Sequence, residues 1–122
     1  MVHLDYRDTR PIYSQIIDGF KEQITAGILR PEDKLPSVRE LAAELAINPN
    51  TIQRAYRRLE AEGWIVTVPG KGCFVCSDNK GREQETQRLL GVLDEAAGLL
   101  VSLGLSREDL AERIRKGGSG NA

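Results

Sequence analysis

The sequence predicts an α+β fold, mostly helical, with a winged helix-turn-helix at the N-terminus and a two-helix segment behind it. Three observations carry this. Two short helical patterns lie close together, each opened by a capping residue, Ser37 and then Asn48. A β-branched run and a glycine-rich turn follow directly, as a hairpin would. Beyond them Leu89, Leu93, Ala96, Leu100 and Leu103 are spaced 4, 3, 4 and 3, the rhythm of a helix seam that pairs with another helix.

The first helix is announced by Thr9-Arg10-Pro11, with Thr9 as a cap and Pro11 at a first helical position. Ile12, Ile16, Phe20 and Ile24 recur on one stripe, widened by Tyr13 and Ile17, and Gly27 closes the helix. Residues 28–36 hold two prolines and read as an irregular connection. Ser37 with Glu40 forms a capping box for the second helix, whose buried face is Val38, Leu41 and Leu45. Asn48 caps a third helix with Pro49 at its first position. Its inward stripe is Ile52, Ala55, Tyr56 and Leu59, and Gly63 ends it. Tyr56 and Trp64 read as core residues.

Residues 64–68 form the first expected strand, Pro69-Gly70-Lys71-Gly72 the turn and residues 73–76 the returning strand. The expected organisation is a DNA-binding domain over 9–76, a linker over 77–81, a helical dimerisation segment over 82–116 and a loose tail over 117–122. Within the dimerisation segment Gly104 stops one helix and Ser106 with Asp109 starts another. Leu105 and Leu110 stand at hydrophobic-staple positions.

With 122 residues there is room for one domain and an appendage. The hydrophobic fraction of 40% suffices for a packed core, and the aromatic 5% makes that core mostly aliphatic. The uncharged stretch over 96–106 is far shorter than a membrane span, and the first ten residues carry Asp5, Arg7, Asp8 and Arg10 with no apolar run. A cytoplasmic protein without membrane association is therefore expected. The net charge of −1 argues against indiscriminate coating of nucleic acid. Yet over residues 45–59 the only charged residues are Arg54, Arg57 and Arg58. Positive charge focused on one element points to a directed contact or to a solvated helix face.

The outward positions of the third helix decide between those two. Its N-terminus offers free N–H groups and a partial positive charge to a phosphate. Asn50, Thr51 and Gln53 lie where a helix-turn-helix meets base edges in the major groove, amides suiting adenine and arginine suiting guanine. Arg54 can serve bases or backbone, Arg57 and Arg58 reach the backbone, and Arg39 points at the duplex from the second helix. Lys71 sits between Gly70 and Gly72, where the hairpin tip can approach a phosphate closely. Asn48 and Pro49 are read as structural.

Cys73 and Cys76 form a CxxC pair, but a zinc site needs two more ligands, and the single His3 has no evident partner. No metal or other cofactor is expected. No His, Cys or carboxylate set has catalytic spacing, so no enzyme is expected either.

The stretches Leu35-Pro36-Ser37-Val38-Arg39-Glu40-Leu41-Ala42, Asn48-Pro49-Asn50-Thr51-Ile52-Gln53-Arg54-Ala55-Tyr56, Leu59-Glu60-Ala61-Glu62-Gly63-Trp64-Ile65 and Gly70-Lys71-Gly72-Cys73-Phe74-Val75 together resemble a GntR-family DNA-binding domain. The C-terminal segment is similar to that of the YtrA-type subgroup, which carries a two-helix dimerisation unit in place of a large ligand-binding domain. The resemblance implies a homodimeric transcription regulator, usually a repressor, on an inverted-repeat operator in double-stranded DNA. In that subgroup the operon often encodes an ABC transporter. It places DNA contacts at Arg39, Asn50, Thr51, Gln53, Arg54, Gly70 and Lys71. The chain departs from many members in having Pro49 and Gln53 where they carry further arginines, so their operators do not transfer. Two other readings stay open: a protein-interaction module built on the winged helix, and a thiol-based redox regulator acting through Cys73 and Cys76. The sequence also leaves open whether a small-molecule effector binds between protomers.

Overall fold

The computed structural model describes Leu4 and residues 10–117. Among these the order is α1 (Ile12–Thr25), α2 (Val38–Leu45), α3 (Pro49–Ala61), β1 (Ile65–Val68), β2 (Gly72–Val75), α4 (Lys80–Ser102) and α5 (Arg107–Arg115). The architecture is the expected α+β winged helix-turn-helix, mostly helical, with two further helices behind it.

The start of α1 corrects the expected cap. Pro11 is extended (ψ 146°) and its carbonyl accepts the Gln15 N–H, so it is the N-cap itself and not the first helical residue. Thr9 lies outside the described residues, as do His3 and residues 118–122. At the other end Gly27, at φ +80°, closes a Schellman motif in which Ile28 N–H reaches Gln23 C=O.

The connection to α2 is more ordered than its prolines indicate. Leu35 N–H donates to Cys73 C=O, Val75 N–H donates to Asp33 C=O, and Lys34 bridges Phe74. This segment thus lies along β2 through an isolated antiparallel bridge, beside the two-stranded sheet. Single residues between prolines carry no period, so the pairing leaves no trace in the pattern.

The Ser37–Glu40 capping box starts α2 as expected, Ser37 Oγ accepting from Glu40 N–H and Glu40 returning the bond. The helix stops at Ala46, a non-glycine residue at φ +57°. That left-handed residue turns the chain so that Asn48 caps α3 within two positions, its Oδ1 accepting from Asn50 N–H at 2.8 Å. Gly63, at φ +87°, ends α3.

The wing is shifted by one residue from the expected strands. Trp64 N–H is used by the end of α3, donating to Leu59 C=O, so the ladder begins at Ile65. Pairing runs from Ile65 with Val75 to Val68 with Gly72, leaving Cys76 just past β2. Lys71 N–H donates to Val68 C=O, which closes a turn with Pro69 and Gly70 (φ +77°) at its centre.

One unit spans Met1–Gln84. Its core joins Ile16, Ile17 and Phe20 of α1 with Leu35, Leu41, the inward stripe of α3, Trp64, Ile65 and Val75. Phe20 meets Tyr56 edge-on at 5.7 Å between ring centroids. The first turn of α4 belongs to this unit. Lys80 and Gly81, expected in a linker, are helical, because Gly81 has no side chain and seats against the Trp64 indole: a Cβ there would fall 2.8 Å from the ring.

The second unit, Glu85–Ala122, holds the rest of α4 and α5. Gly104, at φ +109°, breaks the helix, and the Ser106–Asp109 capping box starts α5. Along α4 the seam positions Leu89, Leu93, Ala96 and Leu100 are exposed, and so is Leu103 just beyond its end. An open groove of about 580 Å³ runs between the two helices, its apolar walls formed by Leu93, Ala97, Leu100, Leu110, Ala111 and Ile114.

Candidate nucleic-acid interface

The inward stripe of α3 is fully committed. Ile52, Ala55, Tyr56 and Leu59 are buried, and the Tyr56 hydroxyl donates to the Pro36 carbonyl at 2.6 Å. Burial pushes the Tyr56 phenol well above its ordinary value, assisted by the charges of Cys73 and Glu40, so it stays a donor. With these residues inward, the helical repeat leaves Asn50, Gln53, Arg54 and Arg57 on one exposed face.

The expected contact residues divide into distinct situations. Asn50 is exposed at the start of α3, while Thr51 beside it is half-buried. Gln53 is exposed. Arg57 is exposed and makes no ion pair among the described residues, and the same holds for Arg39 on the first turn of α2. Gly70 and Lys71 are exposed at the tip of the wing, where Lys71 also has no carboxylate partner among the described residues. Arg39, Arg57 and Lys71, three cations without an ion pair among the described residues, thus come from α2, α3 and the wing.

Two arginines of α3 are held by neighbours, a feature absent from the sequence pattern. Arg54 stacks on Tyr13 of α1, its guanidinium carbon 4.7 Å from the ring centroid. Arg58, expected to reach a DNA backbone, instead pairs with Glu62, which also takes Lys21 of α1 at 3.0 Å. Burial works against the Glu62 charge, but hydrogen bonds from Arg58 and Lys21 outweigh it and hold the carboxyl below its ordinary value. Arg58 is in turn held firmly protonated, first by its hydrogen bond to Glu62 and to a smaller extent by Tyr13.

Lys34 is a basic residue that sequence reasoning passed over. Its stem lies against Gly72, where a Cβ would come 3.0 Å from Lys34 Cε, so it flanks the wing. Only the tertiary pairing of residue 34 with β2 puts it there. Glu40, facing it, is kept below the usual carboxylate range by the Ser37 N–H and hydroxyl, with Lys34 adding a smaller contribution.

The two thiols are free. Cys73 lies 3.5 Å from the Thr67 hydroxyl. The Cys76 thiol is raised by burial and by Asp78 and Glu60, which disfavours the reactive thiolate. No group of three metal-ligating side chains occurs among the described residues, and none of the described helices is long and apolar enough to cross a membrane.

Residues 12–75 match the family model "Bacterial regulatory proteins, gntR family". The chain is 39% identical over 119 residues to the HTH-type transcriptional repressor YtrA of Bacillus subtilis, covering 95% of this chain and 91% of that protein. It is also similar to a solved GntR family transcriptional regulator from Listeria monocytogenes. There the TM-score is 0.73 and the identity 35%, over 93% of this chain and 98% of the other. A third likeness is to AraR(DBD) in complex with operator ORR3, with TM-score 0.54 and 28% identity over 62% of this chain and 92% of that one.

Proposed function

Because the chain belongs to the gntR family of bacterial regulatory proteins, we propose that it is a dimeric repressor that binds an inverted-repeat operator through the outer face of α3. The observation that carries this reading is the exposed face Asn50, Gln53, Arg54 and Arg57, in a unit that also exposes Arg39 and Lys71, neither with an ion pair among the described residues. The operator complex of AraR(DBD) supports a duplex as the partner, and the repressor YtrA supports the regulatory sense.

In this reading the N-terminus of α3 enters the major groove, with Asn50, Thr51 and Gln53 at base edges. Arg39, Arg57 and the wing residues Gly70 and Lys71 clamp phosphates on either side. The leucine seam Leu89, Leu93, Ala96, Leu100 and Leu103 is covered by the same seam of a second copy. Ten large apolar side chains of the second unit are more than a third exposed in the single chain, Leu103 at 79%. That much apolar surface is costly to leave in water. Two copies then present their recognition helices to half-sites about one helical turn, roughly 34 Å, apart.

The test is selection of duplexes from a random library by the purified protein, followed by titration of the selected sequence at rising salt. An inverted repeat bound by two protomers, with affinity falling steeply as salt rises, is the expected result. Sedimentation measures the pairing separately: Leu93→Lys with Leu100→Lys should yield monomers with a folded winged domain. A wild-type chain that stays monomeric, or selects no duplex at low salt, overturns the proposal.

A further inference from the structure

Arg54 reaches the exposed face of α3 with its guanidinium already engaged on another helix. The guanidinium carbon stands 4.7 Å from the centroid of the Tyr13 ring. Tyr13 is itself half-buried and packed against the core of the winged domain, so its ring has little freedom. A cation over an aromatic ring is held without its N–H groups being consumed as hydrogen-bond donors, and the Arg54 side chain makes no hydrogen bond or ion pair among the described residues.

We propose that Tyr13 of α1 is a positioning residue for duplex binding, holding Arg54 with its N–H edge presented to a guanine or a phosphate. The contact limits the rotamers Arg54 would otherwise lose on binding, so the arginine is preorganised. The same tyrosine also contributes to keeping Arg58 charged, after the larger effect of Glu62. Among the described residues no ring contact supports Asn50, Gln53 or Arg57, which singles out Arg54 on this face. The inference rests on the reading of α3 as the recognition helix.

The experiment is a double-mutant cycle on the full chain, read as affinity for the duplex that the wild type selects from a random library. Arg54→Ala should weaken binding about tenfold. Tyr13→Leu should weaken it about two- to fivefold in the wild-type background. It should have no further effect once Arg54 is alanine, and Tyr13→Phe should bind like wild type. Equal losses from Tyr13→Leu in both backgrounds would mean a purely structural role and overturn the proposal, as would no loss in either. If Arg54→Ala alone leaves affinity unchanged, the assignment of Arg54 to the duplex fails first. Should Tyr13→Leu not fold, proton NMR of the wild type decides. The Arg54 side-chain protons should be shifted upfield by the Tyr13 ring in both the free protein and the duplex complex. Unshifted resonances in either state reject the positioning role.

Discussion

The Tyr56 hydroxyl donates a 2.6 Å hydrogen bond to the carbonyl of Pro36, twenty residues earlier in the chain. Pro36 immediately precedes the Ser37 cap of α2, and Tyr56 lies in the middle of α3, so one bond ties the start of one helix to the other. The relative placement of Arg39 and the α3 face depends on that tie.

Tyr56→Phe removes only the bond and keeps the ring, which packs edge-on against Phe20. The expected loss is about 1 kcal/mol, because a half-buried acceptor is left with less than its full partners. For a domain of this size that is a fall of roughly 4–8 °C in Tm. Chemical denaturation with an unchanged m-value would confirm the loss. An unaltered midpoint would show that water replaces the hydroxyl without cost.

The outline of the winged domain was legible because its boundaries are written in local chemistry. Ser37 with Glu40, Asn48 with Pro49, and the glycines 27, 63, 70 and 104 all act within a few residues of themselves. What was not legible depends on distant pairing. Trp64 lost its strand position to the carbonyl of Leu59, and Lys34 reached the wing only because its backbone pairs with Phe74. Arg58 looks identical to Arg57 in sequence, yet Glu62, a carboxylate shared with Lys21, engages it. The seat of Gly81 on Trp64 was likewise hidden, since a glycine after a polar run reads as a linker.

That seat gives a prediction with an internal control. Gly81→Ala places a methyl carbon 2.8 Å from the Trp64 ring, with the Gly63 backbone at 3.1 Å, so neither side can yield easily. Destabilisation of about 1–2 kcal/mol is expected even though alanine favours a helix. Gly91→Ala in the same helix meets nothing within 4 Å and should stabilise by about 0.5–1 kcal/mol. Thermal melts of the two variants should move in opposite directions.

Ala46 is a site where the turn can be relieved. At φ +57° a Cβ crowds the backbone, a strain of about 1 kcal/mol that glycine does not carry. Ala46→Gly should therefore raise Tm by a few degrees, net of the entropy glycine adds to the unfolded chain. A lower Tm would mean that the alanine methyl makes packing contacts worth more than the strain.

Glu62 supplies a pH signature. Its carboxyl is held below the ordinary 4.5 in the folded protein, so the stability it adds is present above that value. It is lost as pH falls through the lowered folded value. Glu62→Gln should cost up to about 1 kcal/mol at neutral pH, since Arg58 and Lys21 lose a shared partner. The gap between the two proteins should close on acidification below pH 4.5, measured by denaturation across a pH series. A gap that stays constant would assign the effect to packing.

The roles proposed for Gln53 and Lys71 separate in one pair of binding measurements. Gln53 is an exposed amide on the recognition face, with a hydrogen-bonding pattern that can distinguish one base pair from another. Lys71 is a point charge at the tip of a glycine-flanked turn, suited to any phosphate. Gln53→Ala should therefore weaken the selected duplex about tenfold while leaving unrelated duplexes nearly unchanged. Lys71→Ala should weaken both alike and lower the slope of log affinity against log salt by about one. Parallel losses from both variants on every duplex would mean that Gln53 reads no base, and the recognition face would then have to be sought among Asn50 and Thr51.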